Sequence, residues 1–338
     1  MQMRVGKWAL AAAALILTAA PLGAQQAPTV TVGGVGYAQW NYNLSGTQHL
    51  NAFDVTRTYI NINAKFSGGV STRATSDIYR NADGSLAYRL KYGYVAYQPE
   101  GRPTTFKLGL VQTPWVSREE DLWEYRMQGP IALDRNKIMT SADFGLSADT
   151  RIGDRLELNA AVVNGEGYSK SEGDQRKDFQ LRASYRLASS DDTGPYGGLR
   201  VSGYAGLGRP TGGGVRDRFI GMLSYRTRQY TVAAEYVSTA DSSTATPTPK
   251  TTGSLVSAFA LYHLPSSKVT LLGRVDLYDP NTDASDDKST RVIGGASYQL
   301  SPNLRLLADV DLLSHEAGDP EVAVDPRQQF LFQAQFSF

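Results

Sequence analysis

The sequence predicts an all-β protein: a transmembrane antiparallel β-barrel of about sixteen strands, with a long third loop folded into the lumen. Three observations lead there. An apolar leader is followed by no second long apolar run. Segments of about ten residues with alternating polarity recur from residue 29 to the end. The connections between them alternate between short turns and long polar loops.

The leader comes first. Arg4 and Lys7 precede an apolar run from Trp8 to Leu22, and Leu22-Gly23-Ala24 is an imperfect cleavage site. The run is shorter than the ~20 residues of a spanning helix, so it reads as a secretory signal peptide. The expected division is therefore 1–24 signal peptide and 25–338 outer-membrane β-barrel domain. With no further apolar run, the remaining chain can cross a bilayer only as a closed sheet, because lipid leaves no partner for free backbone polar groups.

Alternation is clearest at residues 53–66. Thr58, Ile60, Ile62, Ala64 and Phe66 fall on one face, and Arg57, Tyr59, Asn61, Asn63 and Lys65 on the other. In the same way Leu86, Tyr88, Leu90, Tyr92 and Tyr94 oppose Arg89 and Lys91. At the end of the chain Phe330, Phe332, Ala334, Phe336 and Phe338 oppose Gln329, Gln333, Gln335 and Ser337. An aromatic row of that kind suits a strand facing lipid and would be a liability on a soluble sandwich. Strands are expected at 29–42, 53–66, 70–80, 86–98, 105–115, 143–151, 155–163, 178–187, 199–208, 217–226, 229–238, 253–263, 268–278, 290–300, 304–313 and 327–338. The segment 253–263 is apolar on both faces, so its facing stays open.

The longest connection runs from Val116 to Ser141, and a loop of that length in a compact barrel suggests function. It mixes Arg118, Glu119, Glu120, Arg126, Arg135 and Lys137 with Trp123, Tyr125, Met127 and Leu133. A solvated loop has little use for those apolar residues. The expectation is that it packs inside the barrel and narrows a pore, its charges facing a permeating solute. Arg118, Glu119, Glu120, Trp123, Arg126, Arg135 and Lys137 are the candidate constriction residues.

On the polar strand faces the bases Arg57, Lys65, Arg73, Arg89, Lys91, Lys107, Arg182, Arg186 and Arg200 are candidate lumen-lining residues, with Arg218, Lys268, Arg274, Arg291 and Arg305 further along. They outnumber the acids Asp77, Asp149, Glu157, Glu235, Asp276, Asp309 and Asp311. A basic lumen lowers the entry barrier for anions, unless those charges pair across strands.

Composition excludes much else. There is no cysteine, so no disulfide framework and no thiolate metal site. His49, His263 and His315 show no metal-ligand spacing, and no nucleophile motif accompanies them. The formal charge of +1 loses Arg4 and Lys7 on processing, giving +1 − 2 = −1, which offers nothing to nucleic acid. The reading is a passive diffusion channel for small hydrophilic solutes, not an enzyme, without cofactor or metal, whose partners are outer-membrane lipid and hydrophilic or anionic solutes. With the first strand starting soon after the cleavage site, no plug domain and no energised transport are expected. The alternatives are a barrel-embedded hydrolase and a non-conducting structural or adhesive barrel.

Several motifs point further. Lys107-Leu-Gly-Leu-Val-Gln-Thr-Pro-Trp115 with Glu119-Glu120 resembles a motif of the phosphate-selective porin O and P family. So do Phe53-Asp-Val-Thr-Arg-Thr-Tyr59, Asp77-Ile-Tyr-Arg80, Arg89-Leu-Lys-Tyr-Gly-Tyr94 and Val163-Asn-Gly-Glu-Gly-Tyr168. The resemblance implies a sixteen-stranded porin, usually a homotrimer, whose third outer loop constricts the pore. Phosphate selectivity in that family goes with a ladder of closely spaced arginines; here arginines come only as the pairs Arg182/Arg186 and Arg216/Arg218.

Overall fold

The structure, a computed structural model, describes residues 27–45, 50–211, 213–244, 250–316 and 328–338. The leader (1–24) and His49 lie outside them. The strands are β1 (Thr29–Asn43), β2 (Asn51–Lys65), β3 (Val70–Arg80), β4 (Leu86–Tyr97), β5 (Thr105–Gln112), β6 (Ala142–Ile152), β7 (Leu156–Val163) and β8 (Asp178–Ala188). They continue as β9 (Gly198–Gly208), β10 (Gly214–Arg226), β11 (Tyr230–Ser243), β12 (Thr251–His263), β13 (Val269–Asp279), β14 (Ser289–Ser301), β15 (Leu304–His315) and β16 (Gln328–Ser337). Each pairs antiparallel with its sequence neighbours, and β16 returns to β1 from Val35↔Ser337 to Asn43↔Gln329, so the sheet closes.

The two faces divide by polarity. Outward side chains include Val30, Val32, Leu86, Tyr88, Leu108, Leu146, Phe179, Phe219, Tyr236 and Leu277, all exposed. Phe332, Phe336 and Phe338 join them, as the alternation predicts. Inward positions carry Asp77, Asn159, Arg182, Ser202, Glu235, Asp276, Asp309 and Gln333, all buried. A closed sheet with an apolar outside and every strand paired is a transmembrane barrel. No helix among the described residues is long and apolar enough to cross a membrane.

The register shifts at four places, and two of these bulges re-phase β2 and β4. Thr75 pairs with Tyr92 and Ser76 with Leu90, leaving Lys91 as an extra residue in β4. One inserted residue turns everything beyond it over. Lys91 and Tyr92 therefore both point inward, and Tyr94 follows, while Leu86, Tyr88 and Leu90 before the bulge, and Val95 and Tyr97 after it, stay outside. The strict alternation expected here, with Tyr92 and Tyr94 beside Leu86, is corrected by that bulge. On β1 and β2, Tyr37↔Arg57 is followed by Ala38↔Val55, so Thr56 is extra and Phe53 faces out two turns of the pleat from inward Arg57.

The remaining differences are at strand ends. The strand expected to reach Trp115 stops at Gln112, since Pro114 has no N–H for the ladder. β10 and β11 pair as far as Gly214↔Ser243, shortening the loop expected at 239–252.

If Phe332 faces lipid at mid-strand, Phe332→Arg should lower the unfolding free energy in vesicles by about 2–4 kcal/mol. Gln335→Arg, on the opposite face, should cost far less. Urea titration of the two variants checks the assignment, and equal losses would refute it.

Candidate functional site

The chain between β5 and β6 begins Thr113-Pro-Trp115 and ends at Ser141, whose carbonyl accepts from Thr113 N–H at 3.1 Å. It holds two helices that period reading did not detect, α1 (Val116–Trp123) and α2 (Ala132–Arg135). Glu124 ends α1 in the left-handed region (φ 61°), its N–H bonded to Glu120 O. That turn aims the Glu124 carboxylate at Arg226, 2.7 Å away.

Apolar residues of this segment pack on the inward faces of distant strands. Trp123 meets the Phe259 ring of β12 edge-on at 5.2 Å and carries the Arg274 guanidinium over its face at 5.4 Å. Trp115 lies 6.1 Å from the Tyr204 ring of β9. Leu122, Ile131, Leu133, Leu255, Leu261, Ile293 and Leu307 complete one buried cluster. This settles the facing of 253–263: Leu255, Phe259 and Leu261 point inward because the segment covers them, and Val256 and Tyr262 point outward.

Polar contacts extend the same attachment. Tyr125 and Ser297 share a hydroxyl hydrogen bond at 2.6 Å. Gln333 donates to Met127 O at 2.8 Å, and Arg218 donates through Nε to Ile138 O at 3.0 Å. The segment is thereby tied to strands from β7 to β16.

The predicted constriction residues scatter over this attachment. Arg118 is buried and pairs with Glu157 of β7 at 2.7 Å. Glu119 is buried against β11 and β13. Arg135 pairs with Asp311 of β15 at 3.0 Å; burial, then nearby Arg291, lowers its pKa to about 10. Trp123 is wholly buried, and Lys137 is exposed with φ 57°. Glu120 and Arg126, paired at 2.7 Å, border open space.

That space is a cavity of about 600 Å³ between the segment and β1–β5, β15 and β16. Its lining includes Tyr37, Tyr59, Tyr92, Asn61, Arg73, Lys91, Arg126 and Arg305, with Glu120, Asp121 and Glu124 opposite. Lys91 donates to Tyr59 OH at 3.1 Å and sits over that ring at 4.7 Å. Arg73 bonds to Asn61 and Thr75 and stacks over Tyr92. Arg305 bonds to Gln299 and lies over Tyr125. Among the described residues, no carboxylate comes within ion-pair distance of Arg73, Lys91 or Arg305.

Other predicted lumen residues are neutralised. Arg57 pairs with Asp77 at 3.0 Å, Lys107 with Asp149 at 2.6 Å, and Arg186 with Asp154 at 2.6 Å. Lys65 is exposed at the end of β2, and Arg89 donates to Tyr168 OH. Around Glu157 the balance tips: Arg118 and Arg151 bond to it, and Arg182 and Arg200 stand 3.9 and 3.6 Å away, so four guanidiniums surround one carboxylate. Tyr37, which sequence reading passed over, lines the cavity beside Tyr59, and Tyr196, also passed over, carries the Arg118 guanidinium over its ring at 5.1 Å.

Solved structures share this architecture. The chain superposes on an anion-selective porin from Comamonas acidovorans with a TM-score of 0.67, at 13% identity, covering 92% of this chain and 100% of that one. The barrel has the fold of bacterial porins. Salmonella typhi OmpF, solved with daunomycin, gives a TM-score of 0.68 at 12% identity over 91% of this chain and 97% of that one. OmpT of Vibrio cholerae in its trimer form gives 0.64 at 13% over 92% and 100%. No family model matches the sequence, and no curated protein matches it.

The packing makes a prediction for this porin fold. Trp123→Ala removes a fully buried indole and should weaken attachment of the 113–141 segment by about 3–5 kcal/mol. Limited trypsin digestion of the folded variant should then cut at Arg118, Arg126 or Arg135, sites protected in the parent. Unchanged protection would show that the indole does not anchor the segment.

Proposed function

We propose that the chain is a porin of the bacterial outer membrane, a water-filled passage for small hydrophilic solutes that passes anions more readily than cations. In this reading residues 1–24 direct export and the mature barrel assembles as a trimer. The 113–141 segment lies in the lumen and narrows it, with the cavity beside it as the solute path. One observation carries the proposal: a barrel with an apolar outside encloses a polar cavity whose cations Arg73, Lys91 and Arg305 have no carboxylate partner among the described residues. A cation held in a low-dielectric wall without a counter-ion attracts mobile anions. The excess of arginine around Glu157 adds to the same field.

The carboxylates Glu120, Asp121 and Glu124 oppose those cations across the cavity. Glu120 is matched by Arg126 and Glu124 by Arg226, while Asp121 accepts from Tyr196 OH at 2.6 Å. The residual charge of the passage is thus positive. The motifs in residues 53–168 that resemble the phosphate-selective family make phosphate the specific anion to test first.

In planar bilayers the purified protein should give discrete current steps, and in a potassium chloride gradient the reversal potential should take the sign of chloride preference. Arg73→Glu combined with Lys91→Glu should shift it toward potassium. Absence of steps would reject the channel, and a cation-selective parent would reject the anion preference. Phosphate added to the chloride bath should depress the chloride current if phosphate binds in the passage.

A further inference from the structure

One buried contact between the segment and the wall carries more negative charge than it can neutralise. Glu119 of α1 and Glu235 of β11 are 1% and 4% exposed. Both accept from the same donor, the Trp115 indole N–H, at 3.2 Å each. Their other oxygens, Glu119 Oε1 and Glu235 Oε1, have no hydrogen-bond partner. From β13, Arg274 stands 3.6 Å from Glu119 but is already bonded to Asp276 at 2.8 Å. From β12, Ser257 bonds to Asp276, and from β9, Tyr204 lies against Trp115. Arg135 of α2 is engaged with Asp311. Three carboxyls therefore share one guanidinium in a contact closed to water.

Two like charges converging on one N–H in such a place cannot both be ionised cheaply, and neutralisation by a proton is the usual outcome. We propose that the Glu119–Glu235 pair is an acid latch: a proton held between them pins the 113–141 segment to the wall, and its loss as the pH rises frees the segment and widens the passage. The widening rests on the reading of the barrel as a channel; the latch itself does not. Burial pushes the Glu119 carboxyl up, opposed by the neighbouring Arg274 guanidinium. Freed into water, a glutamate titrates near ~4.3. The attached state thus binds an extra proton between that ordinary value and the raised one of the buried pair. Attachment is strongest below the lower value and weakens as pH rises through the upper one.

The chain has no cysteine, so a single thiol reports attachment. Leu122→Cys places one under the segment, where Leu122 is 2% exposed, and Ser285→Cys on an exposed loop corrects for thiol ionisation. From pH 5 to pH 8 the ratio of labelling rates, buried over exposed, should rise roughly tenfold or more. Adding Glu235→Gln should abolish the rise, because the amide keeps the hydrogen bond and removes one charge. Glu119→Gln should do the same, and either variant suffices if the other does not fold. A flat ratio in the parent, or the same rise in a folded Gln variant, overturns the latch. Bilayer conductance over the same range separates the two readings. Conductance that rises with labelling supports the latch as a gate. A labelling step in a protein that never conducts supports the latch and rejects the channel. A labelling step with pH-independent conductance overturns the widening.

Discussion

The pairing of β16 with β1 is the constraint on which the rest of the molecule depends. In hydrocarbon an unpaired row of N–H and C=O groups costs several kcal/mol per group, and no water can satisfy it. Only when Val35–Asn43 meet Gln329–Ser337 does every strand acquire two neighbours. Closure also defines an inside. Once it exists, period-two alternation must send one face of each strand to lipid and the other inward, and a residue's place in the chain decides its solvent. The outward Phe332, Phe336 and Phe338 and the inward Gln333 follow from one geometric fact.

Closure creates a second problem, which the 113–141 segment addresses. A ring of sixteen strands is too wide for its inward side chains to meet across the centre. Inward Leu255, Phe259, Leu261, Ile293 and Leu307 would stand in water if nothing covered them. Trp115, Leu122, Trp123, Ile131 and Leu133 supply that cover, so this barrel has a hydrophobic core internal to the wall but on one side only. On the other side, against β1–β5, the lining is tyrosine, asparagine, arginine and lysine, and there the cavity stays open. The asymmetry of the lumen is thus a consequence of where the inward strand positions are apolar.

Most of the wall was legible in the sequence because alternation is a local property. Residues 53–66 declare their faces without reference to any other segment, and the aromatic row at the end of the chain does the same. What was not legible depends on partners distant in sequence. Lys91 is a bulge only because β3 pairs with β4 in a register that skips it, so the inward turn of Tyr92 could not be read from β4 alone. The facing of 253–263 depended on a cover more than a hundred residues upstream, although its apolarity on both faces was the visible trace of it. The short helices of the segment escaped detection because eight and four residues give too few turns for a period to register.

The charges teach the same point more sharply. Counted along the strands, bases exceed acids, and that count alone implies a positive lumen. In the folded chain Arg57, Lys107, Arg186, Arg274 and Arg291 each find a carboxylate, some on a neighbouring strand and some in a turn. The segment adds its own acids and bases to the account, with Glu119 against Arg274 and Arg135 against Asp311. The field inside the barrel is set by what remains unmatched rather than by the total. That remainder is small and localised: Arg73, Lys91 and Arg305 on the cavity wall, and the arginines crowded on Glu157. Because an unmatched cation that is buried, as Lys91 is, or half-buried, as Arg73 and Arg305 are, is screened less than a solvated one, a few such residues outweigh a larger number of paired ones. The electrostatic field inside a barrel of this composition is therefore a property of pairing geometry, which net charge does not reveal.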